Sequence, residues 1–162
     1  MDFSLKGKVA LVTGGSRGIG EVTAIGLAEA GADIAIAGRK LPDLEKIAEK
    51  IKKTGKKCVP VAAHIARLDE INNLVGKVMA EYGKIDILVN NAATNPTMAA
   101  AIDIEERAWD AIMNLNLKGL FFLSQAVAKV MKEKGGGIII NVASVAGITP
   151  DLLPIYSISK AG

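Results

Sequence analysis

The chain has 162 residues, half of them hydrophobic and 23% charged, which suits one folded domain with a substantial core and excludes a disordered chain. Aromatics at 4% and a scattered net charge of +3 exclude a base-stacking platform or a strongly basic surface, so neither nucleic acid nor membrane is an expected partner. One cysteine (Cys58) and one histidine (His64) leave no material for a disulfide framework or a cysteine-cluster zinc site.

Taken in chain order, short apolar runs alternate with longer helical patterns. Met1 is followed by Asp2 and a charged, Gly-broken segment, unlike a signal peptide. Residues 8–13 read as a buried strand, 18–30 as a helix stopped by Gly31, and 33–37 as a second strand. A charged amphipathic helix is predicted over 42–54, a strand over 57–63, and a helix over 68–82 with Ile71, Leu74, Val75 and Val78 on one face. A strand over 85–90 precedes a loop of Ala, Thr, Asn and Pro. One long helix is predicted over 104–134; Asn114, Asn116, Lys118 and Lys129 keep it from reading as a membrane span. A fifth strand over 138–143 and a helix from Pro154 complete the pattern. Strands this apolar belong in a parallel sheet covered on both faces. The expected fold is a doubly wound α/β domain with strand order 3-2-1-4-5, residues 1–162 forming a single domain.

The glycine run Gly14-Gly15-Ser16-Arg17-Gly18-Ile19-Gly20 links the first strand to the first helix. Glycines allow a sharp turn and a close backbone approach to a pyrophosphate, and a helix N-terminus supplies free N–H groups. The alternative is a tight turn with no ligand. A P-loop is excluded because Glu21 and Val22 follow Gly20 where Lys and Ser/Thr are needed. The spacing G-x-x-x-G-x-G also differs from the usual dinucleotide fingerprint G-x-G-x-x-G.

Tyr156 and Lys160 stand four apart at a helix start and project from one face. A free phenol titrates near ~10 and is a poor base at neutral pH, but an adjacent ammonium favours its phenolate. Such a pair supplies a general acid/base for alcohol–ketone interconversion. Ser144 lies beyond the carboxyl end of the fifth strand, where open α/β sheets bind ligands, and its hydroxyl suits a substrate oxygen. The second strand ends in Ala37-Gly38-Arg39-Lys40, without the carboxylate that usually meets the ribose hydroxyls of NAD. Arg39 and Arg17 can clamp a ribose 2′-phosphate, with Lys40 beside them, which favours NADP(H) over the alternative NAD(H).

The glycine spacing resembles the cofactor loop of classical short-chain dehydrogenases/reductases. Four further motifs stand in that family's order: Asn90-Asn91-Ala92-Ala93, Asn116-Leu117-Lys118-Gly119, Ser144, and Tyr156-Ser157-Ile158-Ser159-Lys160. A subgroup pattern N-N-A-A-x-N-P runs through Pro96. The resemblance implies a Rossmann-like oxidoreductase that interconverts a small secondary alcohol and its ketone with a nicotinamide cofactor. It implies Ser144, Tyr156, Lys160 and Asn116 as catalytic residues, Asn116 holding a water in a relay through Lys160. Gly14, Ser16, Arg17, Gly18, Ile19, Gly20, Arg39, Lys40, His64, Ile65, Asn91, Ala92, Tyr156 and Lys160 are the expected cofactor contacts, and no metal is expected. Asn91 equally suits a role in knitting loops together.

Departures from the family pattern are specific. His64-Ile65 occupies the stretch after the third strand where the family carries an adenine-contacting Asp, with Ile65 in the Asp place. Ala93 replaces a glycine, and the gap between Ser144 and Tyr156 is one residue shorter than usual. Two further strands, a substrate-covering loop and oligomer-building helices of the family have no counterpart up to Gly162. The fifth strand is then expected to show an apolar edge, covered by further chain or by a partner. A cytoplasmic homo-oligomer, dimer or tetramer, is the implied setting. The competing expectation is an inactive cofactor-binding or self-association module.

Overall fold

β1 (Val9–Thr13) is buried along its whole length in the computed structural model, which describes residues 3–149 and 153–162. A strand apolar on both faces needs a layer on each side. Val9 and Leu11 enter one core, Ala10 and Val12 the other, in the period-two alternation of a strand. β1 pairs in parallel with β2 (Asp33–Gly38) and with β4 (Ile87–Asn90). β3 (Cys58–Ala62) adds outside β2, and β5 (Ile138–Asn141) outside β4. The order is therefore 3-2-1-4-5, as the strand–helix alternation predicts.

Two helices cover each face. α1 (Gly18–Glu29) buries Gly20, Ala24 and Ala28, spaced by four, so only small side chains separate it from the sheet. α2 (Leu41–Lys52) packs beside it through Leu44, Ile47, Ala48 and Ile51. On the opposite face, α3 (Leu68–Tyr82) presents Ile71, Leu74, Val75 and Val78, which meet Leu123, Val127 and Met131 of α5 (Leu120–Glu133). Gly83 ends α3 at φ +72°, a left-handed cap that favours glycine. No helix among the described residues is long and apolar enough to cross a membrane.

The long helix expected over 104–134 differs in two ways. Ile104 and Glu105 are extended, so the helix begins as α4 (Glu106–Met113). It then widens into a π-helical turn, Asn114–Gly119, before continuing as α5. Tertiary contacts are made on both sides of the wider turn. A β-carbon on Gly119 would strike the Ile65 carbonyl oxygen, and Asn116 is buried in a polar contact with the loop after β4. A final helix, α6 (Pro154–Ala161), packs against α4 and against the turn Val145–Gly147 that follows β5.

The α1–α2 layer does not extend over β5. Ile138 is 61% exposed and Ile140 46% exposed, while Ile139 between them packs into the α3–α5 core. Among the described residues β5 pairs with β4 alone, so the uncovered apolar edge expected from the sequence is present.

Cys58 at the start of β3 is buried, and burial pushes its thiol up to about 12. The thiolate is the reactive form. At pH 8 the native protein is expected to react with a thiol-specific reagent at least about 100-fold more slowly than the chain in denaturant. Timed absorbance of the released chromophore checks this.

Candidate active site

The site grows from the end of β1. Gly14 (φ +66°) and Gly18 (φ +57°) take left-handed conformations that turn the chain from strand into α1. Gly15 N–H donates to the Ala37 carbonyl of β2 at 3.2 Å. Gly20 is a close-approach glycine. A β-carbon there would collide with the Gly14 carbonyl oxygen and the Asn91 side chain. The turn can therefore approach a ligand closely, with the α1 N-terminus opening beside it.

The Thr13 hydroxyl locks this turn to the segment after β4. It donates to the Val89 carbonyl at 3.3 Å and accepts the backbone N–H groups of Asn91 at 3.0 Å and Ala92 at 3.1 Å. Asn91 Nδ2 answers by donating to the carbonyls of Thr13 (2.9 Å) and Gly14 (3.3 Å). Asn91 thus knits the two loops together while also lining the cleft. Asn90, pointing the other way, donates to Ser124 Oγ (2.8 Å) and Asn141 Oδ1 (2.9 Å), tying β4 to α5 and β5.

Above these loops lies a cleft of ≈ 430 Å³, at the carboxyl ends of the strands. Gly14, Ser16, Arg17, Gly18 and Ile19 form its floor, and Asn91 to Thr94 with Leu115 its far wall. Gly38, Arg39, Ala63, His64 and Ile65 close the near end, and among the described residues no carboxylate lines the cleft. An adjoining groove carries Arg17, Arg39, Lys40, Lys46 and Lys50 against Glu21 and Asp43. Lys50 is paired with Glu21 at 2.7 Å and Lys46 with Asp43 at 3.5 Å. Arg17, Arg39 and Lys40 are exposed and make no ion pair among the described residues, which leaves them free for an anion.

His64 and Ile65 divide their roles. Ile65 is buried in the α3–α5 core and offers the cleft an apolar edge. His64 brings the polar group: its backbone N–H donates to Glu70 Oε2 at 2.7 Å, and its Nδ1 accepts the Ala66 N–H at 3.2 Å.

The catalytic candidates Asn116, Ser144, Tyr156 and Lys160 are not among the residues that line this cleft; Asn116 adjoins it through Thr94. Asn116, in the π-helical turn, accepts the Thr94 N–H at Oδ1 (2.8 Å) and donates from Nδ2 to the Thr94 carbonyl and to Ser159 Oγ, both at 3.0 Å. Ser159 Oγ in turn donates to the Tyr156 carbonyl at 2.8 Å. The side-chain amide of Asn116 therefore links the Tyr156 helix, through Ser159, to Thr94 of the cleft. Lys160 Nζ donates to the Val142 carbonyl at 2.8 Å and lies 5.7 Å from the centre of the Tyr156 ring. Burial holds the Lys160 ammonium below the ordinary lysine value. Ser144 caps the turn Val145–Gly147, its Oγ accepting the Ala146 N–H at 3.2 Å. That turn lies on α6 because Gly147 lacks a β-carbon, which would strike the Lys160 carbonyl oxygen.

Thr13, Thr94, Ser124 and Asn141 escape the sequence reading, and Asn90 and Ser159 stand in its motifs without a role. Their signal is weak: each is a polar residue inside an apolar stretch, and only the fold shows which partner it meets. Among the described residues, no cluster of three or more His, Cys, Asp or Glu residues is arranged to hold a metal ion.

A doubly wound sheet with a glycine turn into its first helix, and a cleft where the strand order reverses between β1 and β4, is the arrangement of a dinucleotide-binding domain. The short chain dehydrogenase family matches residues 8–162, and the chain belongs to that family, whose members bind NAD or NADP. It is 41% identical over 162 residues to 2-dehydro-3-deoxy-D-gluconate 5-dehydrogenase of Escherichia coli (strain K12), covering 99% of this chain and 63% of that relative's length. Its backbone is similar to that of NAD+-bound xylitol dehydrogenase, with TM-score 0.93 and 32% identity, covering 96% of this chain and 60% of that one. A metagenomic short-chain oxidoreductase in complex with NADP gives TM-score 0.92 and 34% identity, covering 96% and 71%.

Replacing Thr13 by Val keeps the shape of the side chain but leaves the Asn91 and Ala92 N–H groups without their acceptor. The expected loss is about 1–3 kcal/mol for each orphaned N–H, read from urea denaturation. Thr13→Ser, which keeps the hydroxyl, is expected to recover most of it.

Proposed function

We propose that the protein is an NADP(H)-dependent oxidoreductase that interconverts a secondary alcohol and its ketone. The observation that carries the coenzyme choice is the near end of the cleft. Among the described residues, Arg39 there and Arg17 on the adjoining floor have no ion-pair partner, and no carboxylate lines the cleft. A ribose diol calls for an acceptor there, whereas a ribose 2′-phosphate calls for cations, and Lys40 extends the cationic rim. The glycine cradle fits a pyrophosphate, since a β-carbon at Gly20 would close the turn. Gly14, Ser16, Gly18, Ile19 and Gly20 would follow the phosphates, His64 and Ile65 the base, and Asn91 and Ala92 the nicotinamide side.

When bound, the nicotinamide supplies the hydride. The chain's own residues handle the proton and the geometry. Tyr156 gives its phenolic proton to the ketone oxygen during reduction and takes it back from the alcohol during oxidation. Lys160, its Nζ 5.7 Å from the centre of the Tyr156 ring, would orient the ribose. Ser144 would hold the substrate oxygen against Tyr156. Asn116 acts as a positioning residue: its bonds to Thr94 and Ser159 keep the Tyr156 helix in register with the cleft. It would also support the proton relay through Lys160.

The chain spans less than two thirds of the length of its E. coli relative, so activity, a homo-oligomeric state and a cytoplasmic setting are proposed for the protein as a whole. Mixing the protein with NADPH and a panel of ketones is expected to give oxidation of the coenzyme, followed at its near-ultraviolet absorbance. Tyr156→Phe is expected to lower the rate by at least about 100-fold. Absence of Tyr156-dependent oxidation across the panel would defeat the proposal. Arg39→Asp is expected to reverse coenzyme preference toward NADH, measured as the ratio of kcat/KM values; an unchanged ratio would refute the NADP assignment.

A further inference from the structure

We propose that Lys50, on α2, sets coenzyme preference without touching the coenzyme: it engages the Glu21 carboxylate and so keeps Arg17 and Arg39 free for the ribose 2′-phosphate. This deepens the NADP(H) reading above and rests on it. Lys50 is then a positioning residue that acts through Glu21.

The groove beside the cleft contains a competitor for its own arginines. Glu21 lines it together with Arg17 and Arg39. Glu21 stands in the first turn of α1, four residues after Arg17, and its N–H meets the Arg17 carbonyl at 3.5 Å. The helix N-terminus favours a carboxylate at that place. Only 23% of the Glu21 side chain is exposed, so water solvates it poorly and a cation must answer its charge. Without another partner, Glu21 would draw one of the two arginines.

Lys50 removes that competition. Its Nζ donates to Glu21 Oε1 at 2.7 Å, across from α2 to α1. Asp43, the other carboxylate of the groove, is a lesser case. Its side chain is 47% exposed, and its partner Lys46 stands at 3.5 Å in the same helix. The cations of the groove therefore fall into two sets, one engaged by its carboxylates and one left for a ligand. A ribose 2′-phosphate carries about two negative charges at neutral pH and is repelled by an unpaired carboxylate in the same groove. A ribose diol is uncharged. The effect of Lys50 thus falls on NADPH and spares NADH.

The test measures Kd for NADPH and for NADH by quenching of intrinsic fluorescence. The wild type is expected to prefer NADPH. Lys50→Gln is expected to weaken NADPH about fivefold while NADH stays within about twofold, and Lys50→Arg to keep the wild-type ratio. Lys46→Gln is expected to move the ratio by less than about twofold. Adding Glu21→Gln to Lys50→Gln is expected to restore the ratio to within about twofold of wild type, because no carboxylate then needs Lys50. A ratio unmoved by Lys50→Gln, an equal loss for both coenzymes, or a loss that persists in the double variant would each overturn the inference and leave the NADP(H) reading standing. A persistent loss would mean that Lys50 meets the phosphate itself. A wild type without preference for NADPH defeats that reading and this inference with it.

Discussion

The site depends on how closely two backbones approach at the carboxyl edge of the sheet. The end of β1 must turn sharply enough to open α1 toward a ligand, and the chain leaving β4 must pass directly over that turn. Side chains at Gly14 and Gly20 would block the passage. The Thr13 hydroxyl and the Asn91 amide hold the strands together once they have met. All of these bonds join strands adjacent in space but far apart in sequence, so the cleft floor exists only when β1 and β4 are neighbours. Function is thus coupled to the crossover topology rather than to a local motif.

A second constraint carries the first toward chemistry. The π-helical turn sets Asn116 against Thr94, and from there hydrogen bonds run through Ser159 to the Tyr156 carbonyl. A regular helix would place Asn116 at a different angle. Gly119, at the end of this turn, lies close against the Ile65 carbonyl, beside one end of the cleft. One backbone irregularity therefore ties both ends of the site together.

Much of this was legible in the residues. The apolar strands, the stripe on α3 and the glycine run needed only periodicity and steric argument, and the observed strand order follows from them. Arg39 at the end of β2 was legible because a missing carboxylate there is a local fact. The π-helical turn was not, since the groups it packs against, Thr94 and the Ile65 carbonyl, lie far from it in the chain. The engagement of Asn116 was likewise hidden: its partners Thr94 and Ser159 lie on separate elements. Ile65 and His64 show the same limit. Which of two adjacent residues faces a cleft depends on where α5 packs, and here Ile65 joins the α3–α5 core while His64 keeps its ring polar and accessible.

The central claim is that a dinucleotide lies along the glycine turn with its phosphorylated ribose between Arg17 and Arg39. The most direct measurement is a titration of NADPH into nitrogen-15-labelled protein, followed by backbone amide NMR. The account predicts saturable shifts concentrated at Gly14 to Gly20, Arg39, His64 and Asn91 to Thr94. Shifts confined to β5, or no saturable change at millimolar coenzyme, would contradict it.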